Sequence, residues 1–234
     1  MKKIIILLVI SLFVIGCLDQ EKPEEVSGGN GEVNVPPTDQ KEPVYETTLE
    51  VRRKPDLPNG GIREGELTHV MIHFISNVIA NRNNPFIIEE VYGILNRYGL
   101  SVHYIIDREG NIYKTLPETH TAFHAGRGVI ENFPHLTNRF NHYSIGIELM
   151  AIGTESEMAD FLTPAQYRAL NPEHIGFTDA QMTTLNKLIN DIIDRHPTIN
   201  PTREFIIGHS EYSPDKPDPG ALFDWTRLDF TRNN

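Results

Sequence analysis

The chain has 234 residues, 39% of them hydrophobic, with 21 Lys+Arg against 32 Asp+Glu and a formal charge of −11. That length suffices for one sizeable core, while the single cysteine excludes a disulfide framework and any multi-cysteine zinc or iron–sulfur site. Nucleic acid is excluded as a partner on charge, because a polyanion needs a positive footprint.

Residues 1–17 read MKKIIILLVISLFVIGC. Lys2 and Lys3 make a positive start, and Ile4 to Ile15 form a nearly unbroken apolar run of twelve residues. Twelve helical residues span roughly 18 Å, short of a bilayer core of about 30 Å, so residues 1–16 read as a signal peptide. Val14-Ile15-Gly16-Cys17 resembles the lipobox of bacterial lipoproteins. That resemblance implies lipidation of Cys17, a membrane anchor and an extracytoplasmic location, on the cell membrane or the inner leaflet of an outer membrane. The alternative is an ordinary secretory signal with a chance cysteine. Beyond Cys17, residues 18–45 carry seven acids, two lysines, four prolines and three glycines. Such a composition cannot offset its ordering entropy, which predicts a disordered tether over residues 17–45 and a folded domain over 46–234.

Within that domain, Leu67–Ser76 predicts a strand with His69, Met71 and His73 on one face. Asn84-Pro85 predicts the start of a helix that Gly99 ends, with Ile88, Val91, Leu95 and Tyr98 at helical spacing. Val102–Arg108 and Asn111–Leu116 predict two strands joined at Glu109-Gly110. Ser144–Met150 predicts a strand with Ile145, Ile147 and Leu149 on one face and Gly146, Glu148 and Met150 on the other. Thr178 and Gln181 form a capping-box pattern ahead of Met182, Leu185, Leu188, Ile189, Ile192 and Ile193, a helix that must stop before Pro197. Phe205–Gly208 predicts a last buried strand, with His209 at its end. Strands interleaved with two good helices give a mixed α/β fold: a central mixed β-sheet with flanking helices.

Of ten histidines, His73 and His209 stand apart, since each terminates an apolar strand that can present a side chain at an open edge. Asp218 follows His209 by nine residues, in a loop whose three prolines and Gly220 force a non-helical path back toward the histidine. Two histidines and a carboxylate make a three-ligand zinc site with an open position. Asp215 and Glu211 are competing acids for the third place. His69, His120, His135, His142, His174 and His196 read as structural or surface residues.

Five blocks in order resemble the bacterial N-acetylmuramoyl-L-alanine amidases related to peptidoglycan recognition proteins. They are Ile72-His73, Val102–Tyr113, Phe123-His-Ala-Gly126, Ser144–Leu149, and Gly208-His-Ser with Lys216-Pro-Asp-Pro-Gly220. The resemblance covers roughly residues 66–228 and implies a mixed sheet with one zinc in a surface groove. It implies His73, His209 and Asp218 as zinc ligands, Glu148 as catalytic acid/base, Lys216 as the basic residue beside the metal, and His124 as a groove-lining, substrate-binding residue. Phe123 replaces the family's usual Trp. Some relatives carry a catalytic Tyr at the position of Val102; Tyr104, expected on the same strand face as Val102, is therefore a second substrate-side candidate. The implied reaction is hydrolysis of the amide between N-acetylmuramic acid and L-alanine in peptidoglycan or muropeptides, by a monomer. A non-catalytic wall-sensing lipoprotein and a zinc hydrolase of another class, such as a sugar deacetylase, remain alternatives at this stage.

Overall fold

Alternation along His69–Ile75 (β3) sends Val70 and Ile72 to one side of the sheet and Met71 and His73 to the other. Ser144–Met150 (β7) lies parallel to it, with Ile145, Ile147 and Leu149 on the first side. The computed structural model describes residues 46–231. The expected signal peptide, Cys17 and the tether over 17–45 lie outside the described residues. Among the described residues, no helix is long and apolar enough to cross a membrane.

Four further strands complete a six-stranded sheet: Val51–Arg53 (β1), Tyr104–Ile106 (β4), Ile112–Lys114 (β5) and Ile206–Gly208 (β8). Their order is β1-β5-β4-β7-β3-β8, parallel throughout except for the antiparallel β4–β5 hairpin. Gly110 makes that hairpin's turn at φ +82, and a Cβ there would meet Thr184 and the Ala180 carbonyl within 3 Å. Asn59–Ile62 (β2) and His120–Ala122 (β6) form a separate antiparallel pair.

Asp179–Arg195 (α3) covers the first face of the sheet, begun by the expected Thr178/Gln181 capping box and ended ahead of Pro197. Its Met182, Leu185, Leu188, Ile189, Ile192 and Ile193 are buried against Val70, Ile72, Tyr104, Ile145 and Ile147. At about 1.5–3 kcal/mol for each such side chain, this face supplies much of the drive to fold.

The second face is covered in two separate patches. Ile88–Arg97 (α1) seats Val91 and Leu95 against Val102, Ile105, Tyr113 and Met150. A loop cluster of Leu136, Phe140 and Tyr212 packs on Met71 and Ile207. Between the two patches, β3 and β7 present His73 and Glu148, which are register partners.

Several boundaries differ from expectation. α1 starts at Ile88 rather than at Asn84-Pro85, because the Pro85 carbonyl accepts from the Asn77 backbone N–H and Ile87 is extended. The short strands β1, β2 and β6 and the one-turn helix Pro164–Arg168 (α2) have no strong hydrophobic period and were not foreseen.

Candidate active site

His73 ends the buried part of β3, and His209 follows β8 directly as the first residue of the short helix His209–Tyr212 (α4). The loop after α4 brings Asp218 back, with the Ser210 backbone N–H donating to the Asp218 carbonyl at 3.0 Å. Asp218 Oδ2 lies 2.7 Å from His73 Nδ1 and 3.0 Å from His209 Nδ1, and the two Nδ1 atoms are 3.1 Å apart. Among the described residues, these three form the one group of His, Cys, Asp or Glu that could hold a metal ion. With neither Nδ1 protonated, three lone-pair atoms aimed at one another repel unless a cation sits among them. Tetrahedral bonds of about 2.0 Å would separate them by roughly 3.3 Å, close to the spacing here, so the donor set fits zinc. Asp215 is exposed and Glu211 is bonded to Arg203 and the Gly208 N–H, so neither competes for this place.

Glu148 lies beside His73 across the β3–β7 ladder and is 8% exposed. Among the described residues its Oε2 has no hydrogen-bond partner. Burial pushes its carboxyl well above the usual range, and the negative charge of Asp218 adds to that shift. For Asp218 burial acts the same way, yet its close contacts with the His209 and His73 rings override it and hold that carboxyl well below the usual range. The two acids are thus split into a proton carrier and a fixed anion. Lys216 sits half-buried in the same loop; desolvation lowers its ammonium pKa, and Asp218 and Asp215 oppose that effect.

His124 is beside this group but is fully engaged by the protein. Its Nδ1 lies 3.0 Å from His73 Nε2, and its Nε2 lies 3.1 Å from Ser144 Oγ. Both ring nitrogens are thus engaged by the protein, and the partly exposed ring meets the groove through its carbon atoms alone. The ring rests on Gly146, where a Cβ would come within 2.7 Å of it.

The expectation for Tyr104 is corrected. The backbone bends at His103, so alternation does not carry across it: Val102 packs with α1, whereas Tyr104 packs with α3 on the far side of the sheet. Fully buried, Tyr104 donates its hydroxyl to Glu118 Oε1 at 2.6 Å. Glu118 also takes Arg195 Nη2 at 2.9 Å, Arg195 Nη1, and His196 Nε2 at 2.6 Å.

Sequence reasoning missed the supporting residues. Asn141 Oδ1 accepts from the His124 and Ala125 backbone N–H groups at 3.1 and 2.8 Å, and the Ala125 carbonyl faces His209 Nε2 at 3.0 Å. Glu157 accepts from Ala221 N and Thr154 N, each at 2.7 Å, tying the Asp218 loop to the β7–α2 connection. Nothing in their spacing marks them, since each acts through contacts distant in sequence.

The sequence profile of the N-acetylmuramoyl-L-alanine amidase family matches residues 63–221, which include all of these donors. The chain belongs to this family. It is 33% identical over 129 residues to the 1,6-anhydro-N-acetylmuramyl-L-alanine amidase AmpD of Haemophilus influenzae, covering 55% of this chain and 56% of that protein. It is also 33% identical over 130 residues to AmpD of Escherichia coli K12, covering 55% of this chain and 56% of that protein. The chain thus spans about half the length of the curated relatives it matches. A selenomethionine AmpD crystal structure superposes with TM-score 0.55 at 26% identity, covering 79% of this chain and 95% of that one. The amidase AmiD from E. coli, in complex with anhydro-N-acetylmuramic acid-L-Ala-D-gamma-Glu-L-Lys, gives TM-score 0.51 at 26% identity, covering 70% of this chain and 58% of that one. The mixed α/β sheet described above is the fold of these amidases.

Proposed function

We propose that the chain is a zinc-dependent N-acetylmuramoyl-L-alanine amidase that hydrolyses the amide between N-acetylmuramic acid and L-alanine in peptidoglycan or muropeptides. The observation that carries this reading is the convergence of His73 Nδ1, His209 Nδ1 and Asp218 Oδ2 beside a buried, partnerless Glu148 oxygen. His73, His209 and Asp218 would hold one zinc per chain. When bound, zinc supplies Lewis-acid polarisation of a carbonyl and lowers the pKa of water. Glu148, whose proton affinity is raised by burial, takes a proton from the attacking water and returns it to the leaving L-alanine nitrogen. Lys216 contributes positive charge where oxygen becomes anionic, in a site where partial burial strengthens the interaction.

The same proposal includes the address. Residues 1–16 are removed, Cys17 is lipidated, and residues 17–45 tether an extracytoplasmic, monomeric amidase domain to a bacterial membrane. Digestion of defined peptidoglycan and of anhydro-muropeptides, with and without chelator, tests the activity by mass spectrometry. New L-alanine amino termini that vanish with chelator are expected. Binding without cleavage, or release of acetate, would overturn the reading.

A further inference from the structure

The proton positions around His73 follow from groups that can only donate or only accept. Ser144 Oγ donates its single proton to the Phe140 carbonyl at 2.7 Å. A carbonyl cannot donate, so Ser144 Oγ faces His124 Nε2 as an acceptor, and that nitrogen carries a proton. A neutral imidazole carries one proton, so with that proton on Nε2 the His124 Nδ1 keeps a lone pair. That lone pair lies 3.0 Å from His73 Nε2, which must then be the donor.

We propose that Ser144 and His124 are positioning residues for the metal centre: the chain from the Phe140 carbonyl through Ser144 and His124 sets the proton of His73 on Nε2 and leaves Nδ1 as its donor atom. This inference rests on the metal reading above. It matters because Asp218 Oδ2, 2.7 Å from His73 Nδ1, would otherwise attract the proton to the wrong nitrogen. The same segment serves His209, whose Nε2 faces the Ala125 carbonyl and whose Nδ1 faces Asp218. Asn141 holds the segment by both of its amides, and Gly146 provides the bare backbone on which the His124 ring lies. Partners beyond the ligands orient metal-bound imidazoles in this way, and their loss typically costs about 10–100-fold in metal affinity.

The test uses the full chain in detergent, with histidine-selective nitrogen NMR and zinc affinity from chelator competition. In the wild type, His124 should carry its proton on Nε2. Ser144→Ala should abolish that preference and weaken zinc binding by about 10–100-fold. His124→Phe keeps a ring over Gly146 but removes both nitrogens, and in that background Ser144→Ala should weaken zinc no further. A wild-type His124 protonated on Nδ1, zinc affinity unchanged in Ser144→Ala, or the same loss from Ser144→Ala in the His124→Phe background would each overturn the proposal. Failure of the wild type to bind zinc would instead overturn the metal reading, and the His124 nitrogen measurement would still decide the hydrogen-bond chain.

Discussion

Acid should weaken the far face of the sheet through Glu118. Its side chain is fully buried and accepts the Tyr104 hydroxyl, while burial, which raises its pKa, is outweighed by His196 and Arg195, which hold the carboxyl at about 2 against an ordinary 4.5. A folded-state value below the unfolded one contributes stability that is fully present above 4.5 and is lost as pH falls toward 2. That displacement is worth on the order of 3 kcal/mol, of which about 2 kcal/mol disappears between roughly pH 5.5 and 3. The assay is urea unfolding of the chelated wild type and of Glu118→Gln at several pH values, so that every other carboxylate cancels in the difference. The wild type should exceed the variant clearly at pH 7, where the variant removes the fully buried carboxylate and leaves Arg195 paired to Asp191, and the gap should narrow by about 2 kcal/mol on reaching pH 3. A gap that is constant with pH would refute an ionised Glu118 as the anchor of this cluster.

Tyr104→Phe should lower stability by about 1.5–3 kcal/mol, the range for a hydrogen bond to a charged group, and leave kcat near wild type. A hundredfold fall in kcat at unchanged stability would return Tyr104 to the reacting side of the sheet. Glu148→Gln should retain zinc and muropeptide affinity while losing about 10²–10⁴ in kcat, measured on a soluble muropeptide; activity above a tenth of wild type would remove Glu148 as the base. Cys17→Ser should release the processed chain from membranes with its activity intact, and membrane retention of that chain in its processed form would show another anchor.

His73 and His209 were legible because each closes an apolar stretch of strand, whereas Glu148 and Lys216 were legible only through the resemblance of their blocks to the amidase family. Asp218 was legible through its loop, where prolines fix a path that a flexible segment would not hold. The register that sets Glu148 beside His73 was not, since a parallel pair leaves no turn in the sequence to count from. Tyr104 was misplaced because the bend at His103 breaks the period of two on which face assignment depends. Ser144 lay inside a recognised block, yet its hydrogen bond to His124 needs the loop from Phe123 to Asn141 to fold over β7.

The position of β8 has a consequence for how the donors could be lost. It is a three-residue strand at the margin of the sheet, joined to β3 through Val70, Met71 and Ile72 only. His73 stays on a strand flanked on both sides, whereas His209 and, through the Ser210–Asp218 backbone bond, Asp218 travel with the margin. Fraying of this edge, once the Ala125–His209 and Glu157–Ala221 bonds also open, would carry off two donors together in a single local opening. Zinc that binds only the closed edge would slow amide hydrogen exchange at Ile206–Gly208 far more than in β7, turning a short marginal strand into the latch of the site.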